Sequence, residues 1–207
     1  MRIRTPHRGR TLLASAAIAW LIAGCAGAPP APTNADASRP DRAAALFTEA
    51  LSAQEAGDDA RATALLNEVI AIAPQQAAPH TNLGIVYRRM GRLDDAVREY
   101  ETAIRLNPGD AEAYHDLGLA HRTRGAFAEA ERAYRRALEL RPTQVDTHYN
   151  LGILYDLYLN RPLDALVHYR AILDLGGPDV EMITGWIRTL ERQVTRGASF
   201  RPAEGPP

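Results

Sequence analysis

Residues 77–110 read AAPHTNLGIVYRRMGRLDDAVREYETAIRLNPGD, and residues 111–144 read AEAYHDLGLAHRTRGAFAEAERAYRRALELRPTQ. Placed one above the other, they match Leu83-Gly84 with Leu117-Gly118, Gly91 with Gly125, Ala96 with Ala130, Tyr100 with Tyr134 and Pro108 with Pro142, always 34 residues apart. The columns continue back to Gly57, Ala62, Leu66 and Pro74 and forward to Leu151-Gly152. A glycine near the middle of each unit and a proline near its end divide it into two segments of helical length. Glycine takes the left-handed conformation that ends a helix without steric cost. Proline stops the second helix, because it lacks an amide hydrogen and clashes with the preceding turn. Asp94-Asp95 and Glu129 open the second segments, where negative charge complements the helix dipole. Gly84, Gly118, Ala96 and Ala130 are small because two helices cross there at close range, and Tyr87, Tyr100, Tyr114 and Tyr134 supply the bulk of the packing faces. The pattern predicts an all-α chain of repeated helical hairpins.

Composition narrows the class further. The chain has 207 residues and a formal net charge of −1, with 24 basic and 25 acidic side chains; every basic one is arginine. That balance excludes a globally basic nucleic-acid binder. Aromatics are only 6%, which argues for small, closely packed helix faces and against an aromatic-rich β-sandwich. A single cysteine, Cys25, forms neither an internal disulfide nor a multi-cysteine zinc site.

A 34-residue period with these residues in these columns resembles the tetratricopeptide repeat. The resemblance implies a right-handed superhelix, an α-solenoid of about four helix–turn–helix units. The units are placed at 43–76, 77–110, 111–144 and a degenerate 145–178, within a domain of residues 42–178. In the first, Leu46, Ala50 and Ala53 stand where larger residues are usual and Glu49 occupies the leucine column, as suits an N-terminal cap. In the fourth, Leu159 replaces the turn glycine, and Asn160-Arg161-Pro162 is read as carrying one extra residue before the second helix. Asn160 then supplies the left-handed turn and Pro162 starts the helix. After Gly176-Gly177-Pro178, residues 179–195 are amphipathic through Met182, Ile183, Trp186, Ile187 and Leu190. They read as a C-terminal capping helix that closes the apolar end of the stack. Residues 196–207, with Pro202, Pro206 and Pro207, read as a disordered tail.

The first 24 residues read as an export signal. Arg2, Arg4, Arg8 and Arg10 precede an uncharged stretch from Thr11 to Gly24, 14 residues long and short of the ~20 that span a bilayer. The run Leu21-Ile22-Ala23-Gly24-Cys25 resembles the lipobox of bacterial lipoproteins. That resemblance implies diacylglycerol on the Cys25 sulfur, cleavage after Gly24 and an N-acyl chain on the new terminus. Multiple acyl chains meet the requirement for stable anchoring. No other cofactor is expected. Twin arginines are absent, which favours the general secretion route. Residue 26 is alanine rather than aspartate, which by the same resemblance implies the outer membrane, facing the periplasm, in a host with two membranes. Removing residues 1–24 leaves 20 basic and 25 acidic residues, a net charge of −5. Residues 25–41 form the lipidated cysteine and a disordered Ala/Pro-rich tether, which reaches about 50 Å when extended at ~3.1 Å per residue.

The residues of the repeat offer no catalytic constellation. No serine sits in a Gly-x-Ser-x-Gly elbow, and the glycines serve as turn and crossing residues, with no phosphate loop among them. His80, His115, His121, His148 and His168 include no His-Glu-x-x-His motif; they read as surface or packing histidines. The chain is read as a non-enzyme without metal or small-molecule substrate. In the tetratricopeptide family the first helix of each unit lines an inner groove at recurring positions. Carried over, these are Thr81, Asn82, Ile85, Arg88 and Arg89, then Glu112, His115, Asp116, Leu119, Arg122 and Thr123, then Tyr149, Asn150, Ile153, Asp156 and Leu157. Two readings stand for the column Asn82, Asp116, Asn150: it grips an extended backbone, or it solvates a helix face. Two stand likewise for Arg88, Arg89 and Arg122, which grip carboxylates or are solvated surface. Tyr149, Ile153 and Leu157 form the apolar end of the wall, a candidate anchor site unless the end helix covers it. The chaperone-binding form of the fold uses a lysine-containing clamp that a lysine-free chain cannot carry unchanged. The expected function is a membrane-anchored periplasmic scaffold or adaptor. It binds a protein or peptide partner in this groove during assembly of an envelope machine such as a pilus or secretion system. The alternative is an accessory subunit of a peptidoglycan- or glycan-processing enzyme system.

Overall fold

Gly57, Gly91, Gly125 and Asn160 all have positive φ, of 76°, 75°, 81° and 50°, and each reverses the chain between the two helices of a hairpin. The computed structural model describes residues 38–199. The export signal, Cys25, the tether as far as residue 37 and the tail from residue 200 lie outside the described residues. The helices are α1 (Arg39–Glu55), α2 (Asp59–Ile72), α3 (Ala77–Arg89), α4 (Leu93–Leu106), α5 (Ala111–Thr123) and α6 (Phe127–Leu140). They are followed by α7 (Val145–Ile153), a π-helical turn (Leu154–Tyr158), α8 (Pro162–Asp174) and α9 (Val180–Ser199). Asp58 caps α2 by accepting from the Arg61 amide at 3.0 Å. Asp110 caps α5 by accepting from the amides of Glu112 and Ala113 at 3.0 and 3.2 Å. Each helix packs on its hairpin partner and on the first helix of the next unit, while consecutive first helices, α1 with α3 and α3 with α5, also touch. The array is an α-solenoid with first helices on the inside of its curve.

The core is organised by one repeated crossing. A Cβ on Gly84 would lie 2.7 Å from the Tyr100 ring, on Gly118 2.6 Å from Tyr134, and on Gly152 2.6 Å from Tyr169. All three rings are buried. In the first unit the same two columns hold Ala50 and Leu66, also buried: leucine, smaller than tyrosine, leaves room for a methyl group, so Ala50 is larger than the glycine usual in its column and not smaller, as the sequence reading had it.

Three boundaries differ from the sequence reading. The extra residue of the fourth unit lies in the π-turn instead of beside Asn160: the Leu159 amide donates to Leu154 O at 3.0 Å, five residues back. The wider turn absorbs the insertion, which keeps Gly152 and Tyr169 facing each other. Asn160 and Pro162 do supply the left-handed turn and the helix start. At the other end α1 begins at Arg39, inside the stretch read as tether, because Pro40 sits in its first turn, where a missing amide hydrogen costs nothing. The last helix continues to Ser199, beyond the expected residue 195.

On α9, Ile183, Ile187 and Leu190 are buried in one cluster with Leu166, Tyr169 and Ile172. Truncation after Pro178 uncovers the α8 side of that cluster. The expected outcome is a loss of at least ~3 kcal/mol of stability and reduced solubility, measured by denaturant unfolding. An unchanged transition would remove the capping role from α9.

Candidate functional site

The inner wall is built by α3, α5 and α7, with the tyrosines of the second helices reaching it from behind. Tyr100 passes beneath Gly84, and its hydroxyl comes near the Arg88 guanidinium and the Asp116 carboxylate; burial, then the Asp116 charge, push that hydroxyl well above its usual range. One repeat later, Tyr134 passes beneath Gly118 toward Arg122, and burial raises its hydroxyl to about 12. In the fourth unit the Tyr169 hydroxyl donates to Asp156 Oδ2 at 3.4 Å. The inner wall thus has a polar layer at the second, third and fourth units, fed by the same tyrosine column. Arg88 Nε, Arg122 Nε and the hydroxyls of Tyr100 and Tyr134 are buried without completing a hydrogen bond.

The predicted residues separate into three groups. Arg88, Asp116, Arg122 and Asn150 come together along the junctions between units; an Arg122 NH2 group donates to Asn150 Oδ1 at 3.2 Å. Asn82 and Asn150 each spend one Nδ2 hydrogen on their own helix, at Ala78 O and Asp146 O, both 2.9 Å, so the column is partly committed to helix solvation. Arg89 stands apart: its Nε donates to Asp59 Oδ1 at 2.7 Å and its NH1 group to Gln54 O at 3.0 Å, stitching the second unit to the first. Glu112 is held at a seam by Arg141 and by Gln144 Nε2, the latter at 2.8 Å. His115 Nδ1 and Thr147 Oγ1 lie 2.7 Å apart; burial lowers the His115 pKa, so it packs as a neutral ring. Thr81 and Thr123 donate to carbonyls one turn back.

Ile85, Leu119 and Ile153 are half-buried, and Leu157 stands exposed in the π-turn. Tyr149 faces Trp186 of α9 at a ring distance of 5.7 Å, and the indole also packs on Tyr169 at 5.3 Å. The end helix therefore covers part of the apolar wall and contributes its own half-buried indole. The sequence reading placed Trp186 in the cap but not in the groove. Its signal was present in the aromatic residues at Tyr149 and Tyr169, which need a partner above them. Among the described residues no three His, Cys, Asp or Glu side chains converge as metal ligands.

Residues 81–145 match the tetratricopeptide repeat family model. Solved structures share the fold. PilF from Pseudomonas aeruginosa is 20% identical over 77% of this chain and 72% of that one, with a TM-score of 0.67. MamA from Desulfovibrio magneticus RS-1, residues 41 to the end, is 22% identical over 67% and 79%, with a TM-score of 0.61. The first tetratricopeptide domain of Spaghetti (RPAP3), solved bound to the HSP90 peptide SRMEEVD, is 22% identical over 56% and 92%, with a TM-score of 0.55. No curated protein matches the sequence.

Burial raises the Asp116 carboxyl to about 6, with Arg88 opposing and Glu112 and Asp110 reinforcing the shift. The folded chain therefore holds this proton more tightly than the unfolded chain. Its contribution to stability is full below the unfolded value of about 3.9 and is lost as pH rises through about 6. Asparagine fills this column in the adjacent units. Asp116→Asn is expected to gain about 1–2 kcal/mol at neutral pH and to flatten the pH dependence between the two values. A less stable variant at neutral pH would show that attraction to Arg88 outweighs burial.

Proposed function

We propose that the chain is a lipid-anchored scaffold of the bacterial envelope. It holds an extended segment of a protein partner against the inner wall of α3, α5 and α7 while an envelope machine such as a pilus or secretion system is assembled. The observation that carries this is the α5–α7 junction. There Arg122 reaches across to Asn150 on α7, and the neighbouring residue Tyr149 packs on Trp186, so the junction offers charge, hydrogen bonding and an aromatic anchor. Those are the ingredients of extended-peptide recognition. Two fold neighbours support the reading: the RPAP3 domain carries a peptide, and PilF is a bacterial protein whose fold is matched over most of its length. The anchor rests on the resemblance around Cys25, which makes the outer membrane, facing the periplasm, the proposed location. The tether then sets the solenoid off the membrane surface.

Two experiments test the two halves of this reading. Metabolic labelling with an acyl-chain analogue is expected to mark the wild-type chain and not Cys25→Ser; a labelled serine variant overturns the anchor. For the groove, a partner captured by a photo-crosslinker at Leu119 is titrated against variants. Tyr149→Ala and Asn150→Ala are each expected to weaken binding by about 1–2 kcal/mol without change in helicity. Arg88→Ala should slow association and reduce its salt sensitivity. Arg135→Ala, on the exposed second helix α6, should change nothing. Equal affinities across the set would place the binding surface elsewhere.

A further inference from the structure

Seven of the eight large hydrophobic side chains exposed among the described residues fall between positions 157 and 182. Leu157 is 70% exposed, Tyr158 47%, Leu163 64% and Val167 62%. Leu163 and Val167 lie one turn apart on the outer face of α8. The repeat shows that its fold does not require apolar residues there. Allowing for the inserted residue, the same two positions hold Asp94 and Arg98 on α4, and Ala128 and Arg132 on α6, all exposed. The charged ones are solvated and paired: Asp94 with Arg124 at 2.7 Å, Arg132 with Glu129 at 3.2 Å, and Arg98 with Asp95. In the first unit the two positions hold Ala60 and Ala64, exposed but small, and only the fourth unit places two large apolar side chains there. A contiguous exposed apolar patch on an otherwise polar solenoid marks a contact surface.

The charges along the same helix identify what covers it. From its N-terminal end they run Arg161, Asp164, Arg170, Asp174, alternating in sign about a midpoint near Val167. An antiparallel copy of α8 sets Arg161 against the second copy's Asp174 and Asp164 against its Arg170, each contact made twice. A parallel copy would set like against like. The antiparallel arrangement also brings Leu157 and Tyr158 at one end of α8 toward Leu175 and Val180 at the other end of its mate, all four exposed. Arg161 now holds Asp164 at 2.7 Å and Glu131 at 3.0 Å, and Arg170 holds Glu191 at 2.6 Å. The Arg161–Asp164 and Arg170–Glu191 pairs are exposed and exchange partners at little cost, while Glu131 is largely buried and also accepts from the Tyr155 hydroxyl. We propose that α8 is a self-association surface through which two copies of the chain pair about a two-fold axis at Val167, as an isologous interface requires. One helix face is a small interface, so association is a rapid, concentration-dependent equilibrium.

Sedimentation velocity of the full chain carrying Cys25→Ser tests this, since that background removes both lipid and native thiol. The sedimentation coefficient is expected to rise toward the dimer value with concentration. Val167→Arg, which sets two like charges on the axis, should hold it at the monomer value with an unchanged helical spectrum. Arg161→Asp and Asp174→Arg should each weaken association, and the two together should restore it. In the same background Val167→Cys should form a disulfide-linked dimer under mild oxidation, and Arg135→Cys should not. A chain that stays monomeric up to about 200 µM, a Val167→Arg chain that still associates, or a charge-reversed pair that fails to recover overturns the proposal. So does dimerisation that appears only after residues 200–207 are deleted, which would assign the face to the chain's own tail.

Discussion

A tyrosine ring fits under a neighbouring helix only where the residue above it has no Cβ. That constraint recurs at Gly84 over Tyr100, Gly118 over Tyr134 and Gly152 over Tyr169, and the rest of the molecule follows from it. It brings the two helices of each hairpin close together. It fills the gap between them with the largest fully buried side chains among the described residues. Because each ring passes through to the far side of the first helix, its hydroxyl arrives at the inner wall, beside Arg88, Arg122 or Asp156. The polar layer of the groove is thus a consequence of how the core is packed. The first unit shows the constraint by its exception: with Leu66 in place of tyrosine, the crossing residue is Ala50.

The same constraint explains the π-turn. One residue inserted between Gly152 and Tyr169 would swing the ring away from its glycine if α7 continued as a regular helix. A five-residue turn takes up the extra residue before the chain reverses at Asn160, and the contact survives. The fourth unit is in this sense held to the pattern by its core while its surface diverges. Its inner wall is aromatic, shared with Trp186, and its outer face carries Leu163 and Val167 where earlier units carry alanine or charge. Both departures fall in the part of the solenoid that carries most of the exposed large hydrophobic side chains among the described residues.

Much of this was legible before the structure. The 34-residue columns located the turn glycines, and Asn160 stood out one residue beyond the column as a residue that tolerates the left-handed turn, because backbone conformation at a positive φ selects residue type strongly. The site of the inserted residue was not legible, since a period counts residues without saying which turn widens. Pro40 was hidden as a helix start inside an Ala/Pro-rich composition that reads equally as tether. The groove columns named candidate wall residues but not how each side chain is engaged. Arg89 and Arg122 are adjacent columns of the same residue type, yet one reaches back to Asp59 and the other across to Asn150. Adjacent positions on a helix point about 100° apart, so the two face different neighbours, and which acceptor each meets is set by how the units pack. Trp186 escaped because the end helix lies outside the period that named the other wall residues.

The most direct test of the packing constraint is a double-mutant cycle on Gly118 and Tyr134, read by equilibrium unfolding. Gly118→Ala alone is expected to destabilise by about 1–3 kcal/mol through overpacking against the ring. In the Tyr134→Leu background, which recreates the Ala50 and Leu66 pair of the first unit, the same change should have an effect near zero, giving a coupling of about 1–2 kcal/mol. Additive effects of the two substitutions would contradict the account, because the glycine would then be serving something other than the tyrosine beneath it.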